Sequence, residues 1–167
     1  MDKIPVIIDC DTGIDDMISF VLTLASKQLD IRGVTTVAGN VSLPHTTYNT
    51  VNGLAFMGRG EILVAAGEAA PLERPYRDAS EIHGDSGLGA FSFEHPVDYG
   101  PVEIGGVEFL YEKLMESEEK ITILALAPLT NIAKLFLEHP DCKEKIEKIV
   151  FMGGSIFSGN PTPVATF

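Results

Sequence analysis

Short β-branched runs alternate with longer amphipathic ones along this chain. Residues 4–9 (IPVIID) form an apolar run closed by an acid, the pattern of a strand buried on both faces. Residues 15–28 (DDMISFVLTLASKQ) follow with helical spacing, and either Asp15 or Asp16 predicts the cap. Residues 31–37 (IRGVTTV) predict a second strand broken by Gly33, and residues 44–57 a helix started by Pro44. A short strand is expected over 62–65, ending before Gly67.

The pattern lapses between residues 68 and 100, a stretch holding Pro71, Pro75, Pro96 and several glycines. At about 30 residues it is long for a connection inside a compact domain, which marks it as a functional loop with short helical pieces. Regularity resumes with a helix over 106–120, a strand over 121–126, a helix over 129–137 stopped by Pro140, and a strand over 148–152. Strands and helices alternating in this way predict an α/β fold. The sheet is expected to be open, Rossmann-like and mostly parallel, with helices on both faces. Strand order is not readable from the pattern, but ligands in such sheets bind beyond the carboxyl ends of the strands.

Charge narrows the partners. The 167 residues carry 12 basic and 24 acidic side chains, a net charge of −12. Such an excess repels nucleic-acid phosphates and anionic membrane surfaces, and no apolar run is long enough to span a bilayer. The first residues enter a strand directly, without the charged and apolar segments of a secretion signal. Two cysteines, Cys10 and Cys142, build neither a disulfide framework nor a zinc site. A cytoplasmic protein is expected, with a homo-oligomer, dimer or tetramer, left open.

The chemistry concentrates after the first strand, in D-C-D-T-G-I-D-D. Asp9 and Asp11 project the same way from an extended chain, Gly13 allows a tight turn, and Asp15 and Asp16 open the helix. One such aspartate is explained by helix capping. Four this close repel one another, and a hard cation, calcium or magnesium, is the usual remedy. Cys10, between them, is expected to face the core. Further polar residues fall at other strand ends: Asn40 in V-A-G-N, Thr130 and Asn131 in A-P-L-T-N, and Asn160 after Gly153 and Gly154. His83 lies in E-I-H-G-D-S-G-L inside the long loop. Neither a dinucleotide fingerprint, nor a phosphate-binding P-loop, nor a nucleophile elbow is present.

These segments, in this order from Pro5 to Asn160, resemble the landmarks of the inosine-uridine-preferring nucleoside hydrolases. The resemblance implies a calcium-dependent glycosidase of nucleoside salvage that splits a ribonucleoside into ribose and free base. It implies that Asp11 and Asp16 ligate the metal by side chain and Leu126 by its backbone carbonyl. Asp11 would also accept the proton of the attacking water. Asp15 would bind the ribose hydroxyls, and Asn40 and Asn160 would contact the sugar. Asp9 would support the loop, and His83 would lie on the base and leaving-group side. Residues 1–167 would form the N-terminal part of a single such domain, incomplete at its C-terminus.

Two departures qualify the resemblance. Thr12 stands where the family's first motif often has proline, and Thr166 stands where it has a ribose-contacting glutamate. The family's late histidine–aspartate pair has no counterpart, so a polypeptide ending here is expected to bind calcium weakly and hydrolyse little. As part of a longer protein, Thr166 alone would weaken or redirect ribose recognition. Purine and pyrimidine nucleosides, and other ribosyl compounds such as nicotinamide riboside, stay open as substrates. Two alternatives compete: a non-catalytic nucleoside- or ribose-binding paralogue, and a haloacid-dehalogenase-like phosphatase with Asp9 as nucleophile.

Overall fold

The computed structural model describes residues 3–159. Five strands form one sheet: β1 (Ile4–Cys10), β2 (Leu29–Thr36), β3 (Val64–Ala66), β4 (Ile121–Ala125) and β5 (Ile146–Phe151). They run in the order β3-β2-β1-β4-β5, and every pairing is parallel. The helices are α1 (Ile14–Ala25), α2 (Leu43–Phe56), α3 (Ser80–His83), α4 (Gly106–Glu116) and α5 (Thr130–Glu138), with a 3-10 turn over Pro140–Lys145.

Alternation along β1 sorts the core into two layers. Val6, Ile8 and Cys10 pack with Phe20 of α1 and with Val51 and Leu54 of α2. Ile7 points the other way, to Val107, Leu110 and Leu114 of α4 and to Ile132 and Leu135 of α5. Helices therefore cover both faces of a parallel sheet, as the alternating pattern predicts, and Cys10 faces the core. Because α1 and α5 leave the adjacent strands β1 and β4 on opposite faces, a crevice opens between those strand ends. That switch point is where open α/β sheets place their ligands.

Local deviations have physical reasons. Gly33 marks a bulge: the β1–β2 register jumps from Val6↔Ile31 to Ile7↔Gly33. A Cβ at Gly33 would strike the ring of Phe109, so the glycine also lets α4 approach the sheet. The helix expected to run to Lys120 stops at Glu116, where Ser117 turns its hydroxyl to the Glu119 carbonyl. The 3-10 turn was not legible in the sequence. The N-cap of α1 is Gly13 rather than Asp15 or Asp16, and Asp16 caps from the N3 position, accepting the Gly13 N–H at 3.1 Å. Similarly, Leu129 rather than Thr130 or Asn131 is the N-cap of α5. No helix among the described residues is long and apolar enough to cross a membrane.

Candidate active site

The carboxyl ends of β1 and β2 bring the sequence-predicted aspartates together. Asp9, still within β1, is wholly buried; Thr35 donates to its Oδ1 at 2.6 Å and Asn131 at 2.7 Å. The same Asn131 amide donates to the Thr36 carbonyl at 3.0 Å and accepts the Glu68 N–H at 2.9 Å. One side chain thus ties β1, β2, α5 and the start of the long loop together across the switch point. Gly67 is glycine for this reason, since a Cβ there would overlap the Asn131 amide.

Beyond Cys10 the chain turns, and Asp11 and Asp16 come to lie side by side, nearly or fully buried. Asn40 clamps both. Its N–H donates to Asp11 Oδ2 at 2.8 Å, and its side-chain amide donates to the Asp11 carbonyl at 3.2 Å and to Asp16 Oδ2 at 3.5 Å. The Asn40 amide is therefore turned onto the carboxylates themselves. Gly39 completes the approach, because any Cβ there would collide with the Asp11 carboxylate. Asp11 Oδ1 and Asp9 Oδ2 are buried without a hydrogen-bond partner among the described residues.

Burial sets the electrostatics. It pushes Asp11 up to about 7, against the Asn40 N–H that favours the charged form and with help from the charges of Asp15 and Asp9. It raises Asp16 well above the carboxylate range, and the adjacent Asp11 raises it further. Asp9 is pushed to about 6, burial outweighing its bonds from Thr35 and Asn131. Carboxylates held at this cost, with no positive group among the causes that shift them, are the arrangement a cation relieves. Two carboxylates with an unpartnered buried oxygen, next to main-chain carbonyls, fit a hard, oxygen-preferring ion in kind. They do not complete its shell: no group of three or more His, Cys, Asp or Glu among the described residues could hold a metal. Leu126 follows β4 directly, its N–H donating to the Asp9 carbonyl at 2.8 Å, so its backbone lies at the same crevice.

The long loop supplies the other wall. His83 ends α3 and is largely buried, its Nδ1 accepting the Ile14 N–H at 3.4 Å and lying 4.0 Å from Asp15 Oδ1. Asp15 itself is more than half exposed. Ala79 N–H donates to the Asn40 carbonyl at 2.9 Å, and Asn49 of α2 donates to the carbonyls of Thr12 and Ser86. These bonds seat the loop over Gly13. The structure thus brings Asp9, Asp11, Asp15, Asp16, Asn40, His83 and Leu126 to one crevice, whereas Asn160 and Thr166 lie outside the described residues. Asn131 gave itself away only as a helix-start residue, and its bridging role depends on a partner 122 positions distant. Tyr76, whose hydroxyl is buried without a partner, carried no sequence signal at all.

Comparison with known proteins agrees with this geometry. A family model described as "Inosine-uridine preferring nucleoside hydrolase" matches residues 6–167. The chain is 42% identical over 166 residues to the non-specific ribonucleoside hydrolase RihC of Shigella flexneri, covering 99% of this chain and 54% of that protein. It is 42% identical over 164 residues to the pyrimidine-specific ribonucleoside hydrolase RihA of Citrobacter koseri, covering 98% and 52%. Among solved structures, a plant nucleoside hydrolase superposes with a TM-score of 0.90 at 36% identity, covering 96% of this chain and 51% of that one. A purine-preferring ribonucleoside hydrolase from Gardnerella vaginalis gives a TM-score of 0.90 at 26% identity, covering 95% and 52%. The chain spans about half the length of the curated relatives it matches.

Proposed function

This chain belongs to the inosine-uridine preferring nucleoside hydrolase family, and from that premise we propose that it serves hydrolysis of the N-glycosidic bond of ribonucleosides, releasing ribose and a free base. We take residues 1–167 as the N-terminal part of a single domain, with residues 68–100 as its functional loop. The observation that carries the reading is the buried Asp11–Asp16 pair, held by Asn40 with one oxygen unpartnered at the switch point of the sheet.

Asp11, Asp16 and the Leu126 carbonyl would hold a calcium ion. When bound, that ion lowers the pKa of a water molecule and offers a positive anchor for sugar hydroxyls. Asp11 takes the proton of the attacking water, which its buried position beside the proposed cation would bring within reach. Cleavage builds positive charge on the ribosyl ring, and the carboxylates around it stabilise that charge. Asp15, exposed at the mouth, binds ribose hydroxyls, with Asn160 and Thr166 as further sugar contacts. Asn40 orients Asp11 and Asp16 as well as facing the sugar, Asp9 supports them from below, and His83 lies toward the base. Asp9 is unsuited to the phosphatase alternative's nucleophilic role, because it is wholly buried and bonded by Thr35 and Asn131. Two free, buried cysteines suit a reducing cytoplasm.

The test is reducing-sugar release from inosine and from uridine, with calcium and with a chelator. Release that depends on calcium supports the reading. Tight, saturable ribonucleoside binding with no ribose formed would favour the non-catalytic alternative.

A further inference from the structure

Asn49 of α2 is buried, and its amide donates to two carbonyls, that of Thr12 at 3.1 Å and that of Ser86 at 2.8 Å. The loop comes this close because residue 87 is glycine. Its φ is 86°, and a Cβ there would lie 2.9 Å from the Asn49 amide nitrogen. The Ser86 bond holds the loop. The Thr12 bond reaches into the turn between Asp11 and Asp16.

The carbonyl of Thr12 and the N–H of Gly13 belong to one peptide unit, and that N–H donates to Asp16 Oδ2 at 3.1 Å. A trans peptide is planar, with its C=O and N–H pointing opposite ways, so fixing the oxygen aims the hydrogen. A carbonyl that accepts a bond also polarises its N–H into a stronger donor. Asn49 therefore acts on Asp16 through one rigid unit. Its neighbour Thr50 holds Thr12 by the side chain. Thr50 Oγ1 gives its proton to the Thr46 carbonyl at 2.8 Å, so in the 2.6 Å contact between the two hydroxyls Thr12 donates. The rest of the turn is fixed as well: Asn40 donates to the Asp11 carbonyl at 3.2 Å, and Met17 N–H to the Gly13 carbonyl at 3.3 Å.

We propose that Asn49 is a positioning residue for the Asp11–Asp16 cation cradle, acting through the Thr12–Gly13 peptide, with Thr50 steadying Thr12 beside it. The inference rests on the cation reading above and adds to it the part of α2 that holds Asp16 beside Asp11. The same helix supplies a control. Asn52, also buried, likewise tethers the loop, accepting the Val97 N–H at 2.9 Å and donating to the Tyr48 carbonyl, without a bond to the acid turn among the described residues.

Calorimetric titration of calcium into the full chain, Asn49→Leu, Asn52→Leu and Thr50→Val tests it, each well below its melting temperature. Leucine keeps the size of asparagine and removes the amide. Asn49→Leu is expected to raise the calcium Kd about 10- to 100-fold, the usual cost of losing a group that orients a metal ligand. Thr50→Val should raise it about five- to tenfold, the worth of one neutral hydrogen bond, and Asn52→Leu should stay within about twofold of wild type. An unchanged Kd in Asn49→Leu overturns this inference and leaves the cation reading standing. An equal rise in Asn52→Leu also overturns it, because the effect is then a general loosening of loop and helix. Should Asn49→Leu not fold, Thr50→Val decides: an unchanged Kd there overturns the inference, and a rise without one in Asn52→Leu supports it. If the wild type shows no saturable calcium uptake, the cation reading itself falls and this inference with it.

Discussion

The strand-end side of the candidate site and its loop side are built by opposite means. On the strand-end side, Asp9, Asp11 and Asp16 are almost wholly buried, and their bonds come from β2, α5, Asn40 and the turn at Gly13. On the loop side, residues 68–100 hold only the four-residue α3, are mostly exposed, and turn at Gly84, Gly87 and Gly89 with positive φ. A few bonds tether it, among them Ala79 to Asn40, Asn49 to Ser86 and Val97 to Asn52. Buried carboxylates need a rigid frame of donors, because desolvation already favours their neutral form and relaxation would cost the bonds that oppose it. On the proposed reading the loop admits and releases a ligand, and lower local stability suits that role.

The contrast can be broken from either side. The largest effect is expected from Asp11→Asn, which keeps the shape and removes the charge. Ribose release should fall by about 10²- to 10⁴-fold, while the melting temperature holds or rises, because burial disfavours the charge that is lost. A collapse of stability instead would make Asp11 a structural carboxylate. Next comes Asn131→Ala, which strips Asp9 of a bond and unlinks Thr36 and Glu68. Denaturant titration should show a loss of about 3 kcal/mol, as expected for breaking a buried polar network.

Smaller effects belong to the loop and the surface. Gly84 has φ 75° and ψ 169°, a region essentially closed to other residues, and a Cβ would press on Gly89. Gly84→Ala should cost about 1–3 kcal/mol, taken up locally. Amide exchange should quicken across residues 80–89 while the core strands keep their protection. Equal quickening in β1 would show that loop and strand ends are one cooperative unit. The smallest change is Lys134→Ala. It removes the 2.8 Å ion pair with Glu68, both side chains about a third exposed or less, and should move stability by no more than about 1 kcal/mol.

Legibility in the sequence followed the same division. The sheet, its helices and the aspartate cluster were readable because their signals are local: β-branched runs, helical spacing, and four carboxylates within a few residues. Helix ends were less so. The turn after Glu116 depends on Ser117 bonding Glu119, and no periodicity reports that. Capping of α1 went to Gly13 because Asp16 was recruited both to the Gly13 N–H and to Asn40. The strand order, the Asn131 bridge and the orphaned Tyr76 hydroxyl were hidden for one reason. Each depends on what distant segments bring near, and a tyrosine in an aperiodic loop looks the same whether its hydroxyl is exposed or buried.

The central claim is that Asp11 and Asp16 form a cation cradle rather than a merely buried acid pair. Calorimetric titration of calcium into the full chain and into Asp11→Ala tests it most directly. A saturable site in the wild type that is lost in the variant is the predicted result. Equal calcium affinity in the two proteins would contradict it.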